Sequence, residues 1–357
     1  MISKRSSPKE RPTVPPEQAL LDPKKAPLCT HTVQVPDLDL NPIQKKKLYK
    51  EQLIQWLDKH NYINESYRIE NCGENFVHLK CSGGHDKYAR MHCNREYCPT
   101  CGTKGSRLHK KRTTRAMDRL IWAPVLGYVV FTLPEEVSQS RPGVNTLKIL
   151  SAKAWNLVKE YFDTPGSMVR THLMGNALGK LHIHINVLFP ILNDTGKGVI
   201  PQEDLDRLRR SWTDFINQQF GKEYADTNLN YNFATTKRKI RHKLKYVVRP
   251  IVNALEFYSL NDEDRHYIIS LSGWHNTRWF GKLANAQYKK FLTTKGINPK
   301  QYENADLHLS RRCPVCGNKY RCIDIVHKSN LPRGQLRYID NDTLVDFSTY
   351  SYLKEKA

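Results

Sequence analysis

The chain has 357 residues, in which 57 Lys and Arg face 35 Asp and Glu, a formal charge of +22. This excess favours a polyanionic partner, nucleic acid before anionic membrane. The most apolar run, residues 121–133, is interrupted by Pro124 and Gly127 and is too short to span a bilayer. Lys4 and Arg5 stand where a signal peptide has its apolar core, so we expect a cytoplasmic (intracellular) protein. In that compartment we expect the cysteines to bind metal rather than to form disulfide bonds.

The length exceeds that of one compact domain and predicts a main domain with smaller attachments. Prolines and lysines dominate the first residues, which predicts a disordered arm. We divide the chain into an arm over 1–42, a helix and zinc-binding module over 43–112, a central domain over 113–290 and a C-terminal segment over 291–357.

Closely spaced cysteines indicate a zinc-binding module. Cys98 and Cys101 precede Gly102, a spacing typical of the knuckle that wraps one side of a tetrahedral zinc ion. We expect a structural site, because the surroundings lack the strand and helix of a thioredoxin-like redox motif. The other two ligands must come from upstream, and we choose Cys81 and Cys93. Spacing alone leaves Cys72 and His85 as alternatives.

A basic run follows the knuckle, with Asp118 its one acid between residues 104 and 119. Such a run is either a solvated helix face or a phosphate-binding one. Because it follows a zinc knuckle in a very basic chain, we favour contact with a nucleic-acid backbone. The candidates are Lys104, Arg107, Lys110, Lys111 and Arg112.

The central domain alternates strands and helices. β-Branched and aromatic residues over 125–133 predict a buried strand, and apolar residues at helical spacing over 145–162 and 202–220 predict helices. We expect the first strand to lie beside the strand over 179–190. A further strand is predicted over 267–271.

The strand over 179–190 carries a candidate metal site. His182 and His184 alternate with apolar residues, so both imidazoles project from one face while the apolar side chains enter a core. Two neutral imidazoles can hold a divalent ion and leave positions open for a substrate phosphate oxygen. The alternative is a strand with one exposed polar face and no metal.

A second candidate element is the helix predicted over 236–250. Its apolar stripe consists of Ile240, Leu244, Val247 and Ile251. Tyr246 falls off this stripe, and we expect its hydroxyl to lie among cations. Nearby cations favour the phenolate that attacks phosphorus, although an ordinary tyrosine on a helix facing nucleic acid is the alternative. The cations are Lys239, Lys243 and Arg249, which are further candidates for nucleic-acid binding.

The order of these features resembles that of the HUH endonuclease superfamily: a knuckle over 93–101, a strand ending at Phe131-Thr-Leu-Pro, the pair His182-Ile-His184 and a helix with Lys245-Tyr246. Over about residues 80–290 the chain is similar to rolling-circle plasmid replication initiators and to related rolling-circle insertion-sequence transposases. The resemblance implies an α+β fold, with a ferredoxin-like antiparallel sheet and flanking helices forming an HUH catalytic domain over 113–290.

The resemblance also implies roles. His182 and His184 would bind Mg2+ or Mn2+ and polarise the scissile phosphate. Tyr246 would attack it, become joined to the 5′-phosphate and free a 3′-hydroxyl. Plasmid initiators of this type often carry a glutamate one turn before the tyrosine, where this chain has His242, so the release step is not assigned. The lack of a second tyrosine there favours a single-tyrosine enzyme, and the third metal ligand is not placed.

Residues 273–281 combine aromatics with Arg278, a composition suited to stacking bases or binding phosphate, or equally to core packing. This segment is followed by Cys313-Pro-Val-Cys316-Gly317, and the order of the two resembles the C-terminal end of the insertion-sequence transposases. Cys313 and Cys316 predict a second zinc knuckle. Its other ligand candidates are Cys322, His308 and His327.

We therefore expect a rolling-circle replication initiator that nicks and rejoins single-stranded DNA at an origin, with catalytic Mg2+ or Mn2+ and structural Zn2+. The expected partners are origin DNA and a host helicase and polymerase, with no membrane and no small-molecule substrate. A host helicase is needed because the chain has no Gly-x4-Gly-Lys-Ser/Thr phosphate loop. The alternatives are a single-tyrosine HUH transposase and a non-catalytic zinc-ribbon DNA-binding regulator.

Overall fold

Two five-stranded antiparallel sheets organise the part of the chain that the computed structural model describes. The described residues are 41–175, 180–192, 198–224, 227–252, 257–284, 287–296, 313, 316–331, 336–340 and 343–346. They fall within one compact unit, Val33–Ala357. The expected α+β class with antiparallel sheets is confirmed, while residues 1–40 of the expected N-terminal arm lie outside the described ranges.

The strands are β1 Asn75–Cys81, β2 Asp86–Arg90, β3 Val125–Thr132, β4 Gly166–Met174, β5 Leu181–Ile191, β6 Leu229–Ala234, β7 Thr277–Gly281, β8 Tyr320–His327, β9 Leu336–Asp340 and β10 Thr343–Asp346. The helices are α1 Pro42–Lys59, α2 Ile63–Glu70, α3 Arg107–Leu120, α4 Glu135–Gln139, α5 Val144–Tyr161, α6 Gln202–Phe220, α7 Lys237–Val247, α8 Asp262–Ser270 and α9 Gln287–Thr294. None of the helices in the described ranges is long and apolar enough to cross a membrane.

The central sheet has the strand order β6-β3-β5-β4-β7. As expected, β3 lies beside β5, with Thr132 opposite His184. On its other side β5 pairs with β4, where His172 is also opposite His184. The strand predictions did not include β4, and its pairing brings a third histidine to the strand that carries the expected pair.

The two faces of the central sheet bury different sets of helices. Ile183, Ile185 and Val187 are fully buried in a cluster that includes residues of α5 and α6. Tyr128 and Leu188 belong to a second cluster on the other face, together with residues of α3 and α7. Alternation along β5 therefore puts its histidines on the side of the sheet that α3 and α7 cover.

The prediction of a strand over 267–271 is wrong, because residues 267–270 belong to α8 and Leu271 is its C-cap. The side chain of Asn261 accepts a hydrogen bond of 2.8 Å from the backbone N–H of Asp264 and so caps the helix. Acidic residues fill its first turn, where they stabilise the positive end of the helix dipole. These capping signals outweigh the short apolar run that suggested a strand.

The second sheet, with the order β8-β1-β2-β10-β9, joins strands from both ends of the described chain. β1 is antiparallel to β8, and Cys81 is paired with Tyr320. The division by sequence had assigned these strands to separate segments, 43–112 and 291–357. Their pairing brings the first and last groups of cysteines close together in space.

Candidate functional site

Three histidines lie together on one side of the central sheet. The ring centroids of His182 and His184 are 5.9 Å apart, and those of His172 and His184 are 5.1 Å apart. His182 is exposed, whereas His184 and His172 are buried. The expected pair is thus extended by a third imidazole from the neighbouring strand.

Hydrogen bonds leave one nitrogen available on each buried imidazole. Nδ1 of His184 is 3.0 Å from the carbonyl oxygen of His182, which leaves Nε2 free of this contact. Nε2 of His172 is 2.8 Å from the carbonyl oxygen of Val247, to which it donates. Nδ1 of His172 is then the unprotonated nitrogen, and it is buried with no hydrogen-bond partner among the described residues.

Both buried imidazoles are in the neutral form that binds metals. Burial lowers the pKa of His184 to about 4 and the pKa of His172 well below its usual value. The donor set therefore fits a divalent cation chemically. The three imidazoles are not close enough together to form a ready-made metal site, however. Within the described ranges, only two cysteine-rich clusters have ligand atoms that all lie within 4.8 Å of one another.

Tyr246 lies on α7, whose N-terminus is capped by Thr236. Three residues of the expected apolar stripe, Ile240, Leu244 and Val247, are buried. Tyr246 is 40% exposed, and the guanidinium of Arg249 lies 4.5 Å from its ring centroid. The expected cationic neighbour is present in Arg249, whereas Lys243 lies over the ring of Tyr128, 4.8 Å from its centroid.

The C-terminal end of α7 is fixed by three side chains. The last carbonyl groups of a helix have no partner within the helix. Here the carbonyl oxygen of Lys245 is 3.1 Å from Nε2 of His109, and that of Val247 accepts from His172. Nη2 of Arg170 donates to the carbonyl oxygen of Arg249 at 2.7 Å. The turn that carries Tyr246 is thus bonded directly to β4, which carries both His172 and Arg170.

Arg249 connects the tyrosine with the histidines electrostatically. Burial is the largest cause of the lowered pKa of both His172 and His184, and other nearby groups come next. The positive charge of Arg249 lowers both pKa values further. The same guanidinium lies against the Tyr246 ring. An exposed phenol, a cation and the imidazoles therefore share one neighbourhood on this face of the sheet.

The first metal-binding group consists of Cys72, Cys93, Cys98 and Cys101. Sγ of Cys101 is 3.4 Å from Sγ of Cys72 and 3.7 Å from Sγ of Cys93. These spacings suit a tetrahedral zinc ion, since bonds of about 2.3 Å put thiolates roughly 3.8 Å apart.

The choice of Cys81 for this group is wrong, and the alternative Cys72 takes its place. β1 runs from Asn75 to Cys81, and an extended strand of this length separates its ends by about 20 Å. The knuckle itself follows the expectation, including its glycine. A Cβ on Gly102 would lie 1.6 Å from the carbonyl oxygen of Glu96, so no larger residue fits there.

The second group consists of Cys81, His85, Cys313 and Cys316. Nδ1 of His85 is 3.3 Å from Sγ of Cys81 and 3.4 Å from Sγ of Cys313, and the sulfurs of Cys81 and Cys316 are 3.5 Å apart. The expected pair, Cys313 and Cys316, is therefore joined by two ligands from the β1–β2 hairpin, Cys81 and His85. Either group could hold a metal ion such as zinc.

The other ligand candidates for the second group do not join it. Cys322 is exposed and outside the group. Nδ1 of His327 is 2.8 Å from the hydroxyl of Ser329. His308 lies outside the described residues.

Glu96, inside the first knuckle, connects it to the tyrosine helix. Its carboxylate pairs with Arg112 and lies 3.6 Å from Nη2 of the fully buried Arg170. It also accepts hydrogen bonds from the backbone N–H of Ile251 at 3.1 Å and from Nδ2 of Asn276 at 3.2 Å. One buried carboxylate thus joins the knuckle, α3, β4 and the chain that leaves α7.

The expected DNA-binding residues divide by exposure. Those with exposed side chains are Lys104, Lys110, Lys111 and Lys239. The assignment of Arg112 to DNA is not supported, because its guanidinium is held by Glu96. Arg107 donates to the carbonyl of Arg90, and Arg278 donates to the carbonyl of Lys148 at 3.1 Å. Lysines rather than arginines therefore form the accessible part of this set.

The sequence analysis missed His172, Arg170 and Glu96. In β4 the two polar residues alternate with Val169 and Leu173, which is the same period that marked the histidines of β5. That signal could have identified the strand and its histidine. Glu96 has no such signal, because its four partners come from distant parts of the chain.

Fold and site together define an α+β protein with two cysteine-rich groups that could hold metal ions and a histidine–tyrosine face on its central sheet. Comparisons with protein-family models, curated proteins and solved structures give no match.

Proposed function

We propose that the chain is a metal-dependent endonuclease and strand transferase of single-stranded DNA, with Tyr246 as its nucleophile, in a ferredoxin-like HUH catalytic domain. One observation carries the proposal. The helix with Tyr246 packs on the face of the sheet that bears His182 and His184, and His172 is bonded to its last turn. The phenol and the imidazoles come from distant parts of the chain, and this packing puts their strand and helix on the same side of the sheet.

The histidines and the tyrosine have different roles in the proposed cleavage. His182 and His184, with Nδ1 of His172 as a third donor, would hold Mg2+ or Mn2+. When bound, such an ion polarises a phosphate oxygen. Tyr246 supplies the oxygen that forms a bond to phosphorus, while the bond from phosphorus to the 3′-oxygen breaks. The phenol proton passes to water, and the released 3′-oxygen is protonated to a hydroxyl.

Arg249 has two roles in this scheme. Its guanidinium lies against the Tyr246 ring, so it restricts the orientation of the phenol. A fixed positive charge at this position also attracts the phosphate and stabilises the negative charge that develops on it during attack. Exposed lysines on α3 and α7 supply the sequence-independent contacts to the DNA backbone.

The biological role that we propose is initiation of rolling-circle replication of a plasmid or virus. The enzyme would nick an origin, carry the 5′-phosphate on Tyr246 and leave a 3′-hydroxyl for a host polymerase, with a host helicase to separate the strands. An insertion-sequence transposase would use the same chemistry. Cleavage of origin DNA from a small circular replicon distinguishes the first role from cleavage at the ends of a transposable element.

The test incubates the full chain with origin-derived single-stranded DNA and Mn2+ and looks for a protein–DNA adduct that resists denaturation. We expect the adduct to map to Tyr246 and to be lost in Tyr246→Phe and in His182→Ala. Tyr67→Phe, which changes an exposed tyrosine on α2, is the matched control and keeps the adduct. If DNA binds but no adduct forms under any metal, the chain is instead a DNA-binding regulator without catalysis.

A further inference from the structure

A cavity of about 300 Å³ lies away from the histidine–tyrosine face, between α1 and the segment that leads into α8. We name it the α1 pocket. Its lining is mainly aromatic and amide, with Trp56, Phe257, Tyr258 and Gln52 as the residues that matter here. Pockets of this size and character bind small planar groups.

The aromatic walls of the α1 pocket are held in place before any ligand arrives. Nε1 of Trp56 donates to Asp262 at 2.8 Å, and the ring of Phe257 meets Trp56 edge-on with centroids 6.2 Å apart. Tyr258 stacks on Tyr49 at 4.7 Å. Rings that are already fixed lose little freedom on binding, which is what a stacking platform for bases requires.

Arg265 closes one side of the pocket and is held there by neighbouring acceptors. Its guanidinium lies 5.8 Å from the Trp56 ring centroid. It donates to the carbonyl oxygens of Phe257 at 3.2 Å and Tyr258 at 2.6 Å, and to Asp262 at 3.2 Å. Each of its three nitrogens makes one hydrogen bond, so the guanidinium is fixed as a planar wall of the pocket.

Gln52 supplies the unused polar group. Its side-chain oxygen is buried and has no hydrogen-bond partner within the described part of the chain. A buried acceptor without a donor costs free energy, and a ligand donor that reached this oxygen would remove that cost. An amide presents both an acceptor and donors, which matches the edge of a nucleobase.

The surroundings fit a nucleic-acid backbone. Lys59 lines the pocket and is exposed. Lys45 lies about two helical turns before Gln52, on the same side of α1. The whole chain carries a formal charge of +22. A phosphodiester chain along this helix would meet a cation on each side of the base that enters the pocket.

We infer that the α1 pocket binds one unpaired base of single-stranded DNA, stacked on Trp56 and hydrogen-bonded to Gln52. The choice of DNA rests on the proposed function. A duplex cannot supply such a base without unpairing it, so the pocket selects single strands. It gives the chain a DNA contact remote from the site of strand cleavage.

The test measures binding rather than cleavage, so it does not depend on the nuclease. Full-length, zinc-loaded protein carrying Tyr246→Phe is titrated into fluorescein-labelled 20-nucleotide DNA without Mn2+, and anisotropy gives the Kd. A series of oligonucleotides, each with one abasic position, locates the base that enters the pocket. We expect one position at which loss of the base weakens binding about fivefold or more.

Trp56→Ala should weaken binding of the intact oligonucleotide by the same factor and should abolish the effect of that abasic position. Trp56→Phe, which keeps a stacking ring, should restore most of the affinity. Gln52→Leu should weaken binding while keeping the shape of the wall, and circular dichroism checks that each variant is folded. Tyr67→Ala, an exposed aromatic outside the pocket, is the matched control and should bind normally.

Cross-linking provides a second measurement. An oligonucleotide with 5-iododeoxyuridine at the sensitive position should cross-link on irradiation to Trp56, Phe257 or Tyr258. The inference is overturned if abasic effects persist unchanged in Trp56→Ala, if cross-links map elsewhere, or if matched RNA binds more tightly than DNA. Failure of the Tyr246 adduct with an intact abasic effect would reject the nuclease alone.

Discussion

His172 stands opposite His184 in the register of β4 and β5, and their ring centroids are 5.1 Å apart. The same imidazole donates to the carbonyl oxygen of Val247, the residue after Tyr246. One side chain therefore contacts both His184 on β5 and the helix that carries the tyrosine. Its Nδ1 has no partner in the described ranges, so it can still serve as a donor to a cation.

His172→Gln should reduce adduct formation mainly when metal is limiting. Glutamine keeps a donor that can reach Val247 but lacks an imidazole nitrogen beside His184. Loss of a ligand or its supporting partner typically costs ten- to a hundredfold in metal affinity or activity. We expect the half-saturating Mn2+ concentration for adduct formation to rise by about tenfold or more. His327→Gln, which changes an exposed histidine at the end of β8, is the control. An equal loss at every Mn2+ concentration would leave His172 with a purely structural role.

The two cysteine groups should bind zinc independently. The purified chain is expected to hold two zinc ions, one in each group. Cys72→Ser should release one and Cys81→Ser the other, and the double variant should release both. Elemental mass spectrometry against protein concentration measures the stoichiometry. Cys322→Ser, outside both groups, should keep two ions, and loss of one there would contradict the assignment.

Zinc should also stabilise the chain. Binding to the native state alone adds ligand-binding free energy to folding, because the ligands are separated when the chain unfolds. Cys81 and Cys316 are far apart in sequence, so the second group closes a long loop. Chelation should therefore lower the midpoint of thermal unfolding by scanning calorimetry, and re-addition of Zn2+ should restore it.

Much of the central sheet was predictable from local pattern. β3, α5 and α6 agree closely with their predicted bounds, since each buries one apolar face at a regular period. β4 was missed because Arg170 and His172 are polar yet buried, and their partners lie on α7 and near β7. A sequence pattern records polarity, whereas burial of a polar residue depends on contacts made by the whole fold.

The two cysteine groups were likewise predictable only where their ligands are close in sequence. The knuckle of Cys98 and Cys101 was predictable because its two-residue spacing fixes its geometry. The assignment of Cys72 and Cys81 was not, because it depends on the direction in which β1 runs. His85 joins Cys313 only because β8 pairs with β1, a contact between opposite ends of the chain.

Exposed lysines of α3 should contribute to DNA affinity through phosphate contacts. Lys110→Ala combined with Lys111→Ala removes two exposed charges from this helix. Each phosphate contact adds about 0.7 to the dependence of log K on log salt for single strands, so the slope should fall by roughly 1.4. Anisotropy titrations between about 50 and 200 mM salt give the value. Lys222→Ala, whose ammonium pairs with Glu136, is the control and should leave the slope unchanged.

Glu96→Gln should destabilise the fold by about 3 kcal/mol, because removal of one charge leaves Arg112 and Arg170 paired with a neutral amide in a buried site. Urea unfolding at neutral pH measures the loss. Glu51→Gln, which changes an exposed carboxylate on α1, is the matched control and should cost less than about 1 kcal/mol. Equal stability of the two variants would show that the Glu96 network does not support the fold.

The pH dependence should identify the charge of Glu96 as the source of this stability. Burial opposes its ionisation, but the charges of Arg112 and Arg170 outweigh burial and hold the pKa of Glu96 below its usual range. The folded state therefore binds a proton less readily than the unfolded chain, whose glutamates titrate near about 4.3. Stability from Glu96 is complete above that pH and is lost as the pH falls through the folded pKa. The unfolding free energy of the wild type should thus converge on that of Glu96→Gln in acid, and parallel pH profiles would contradict this.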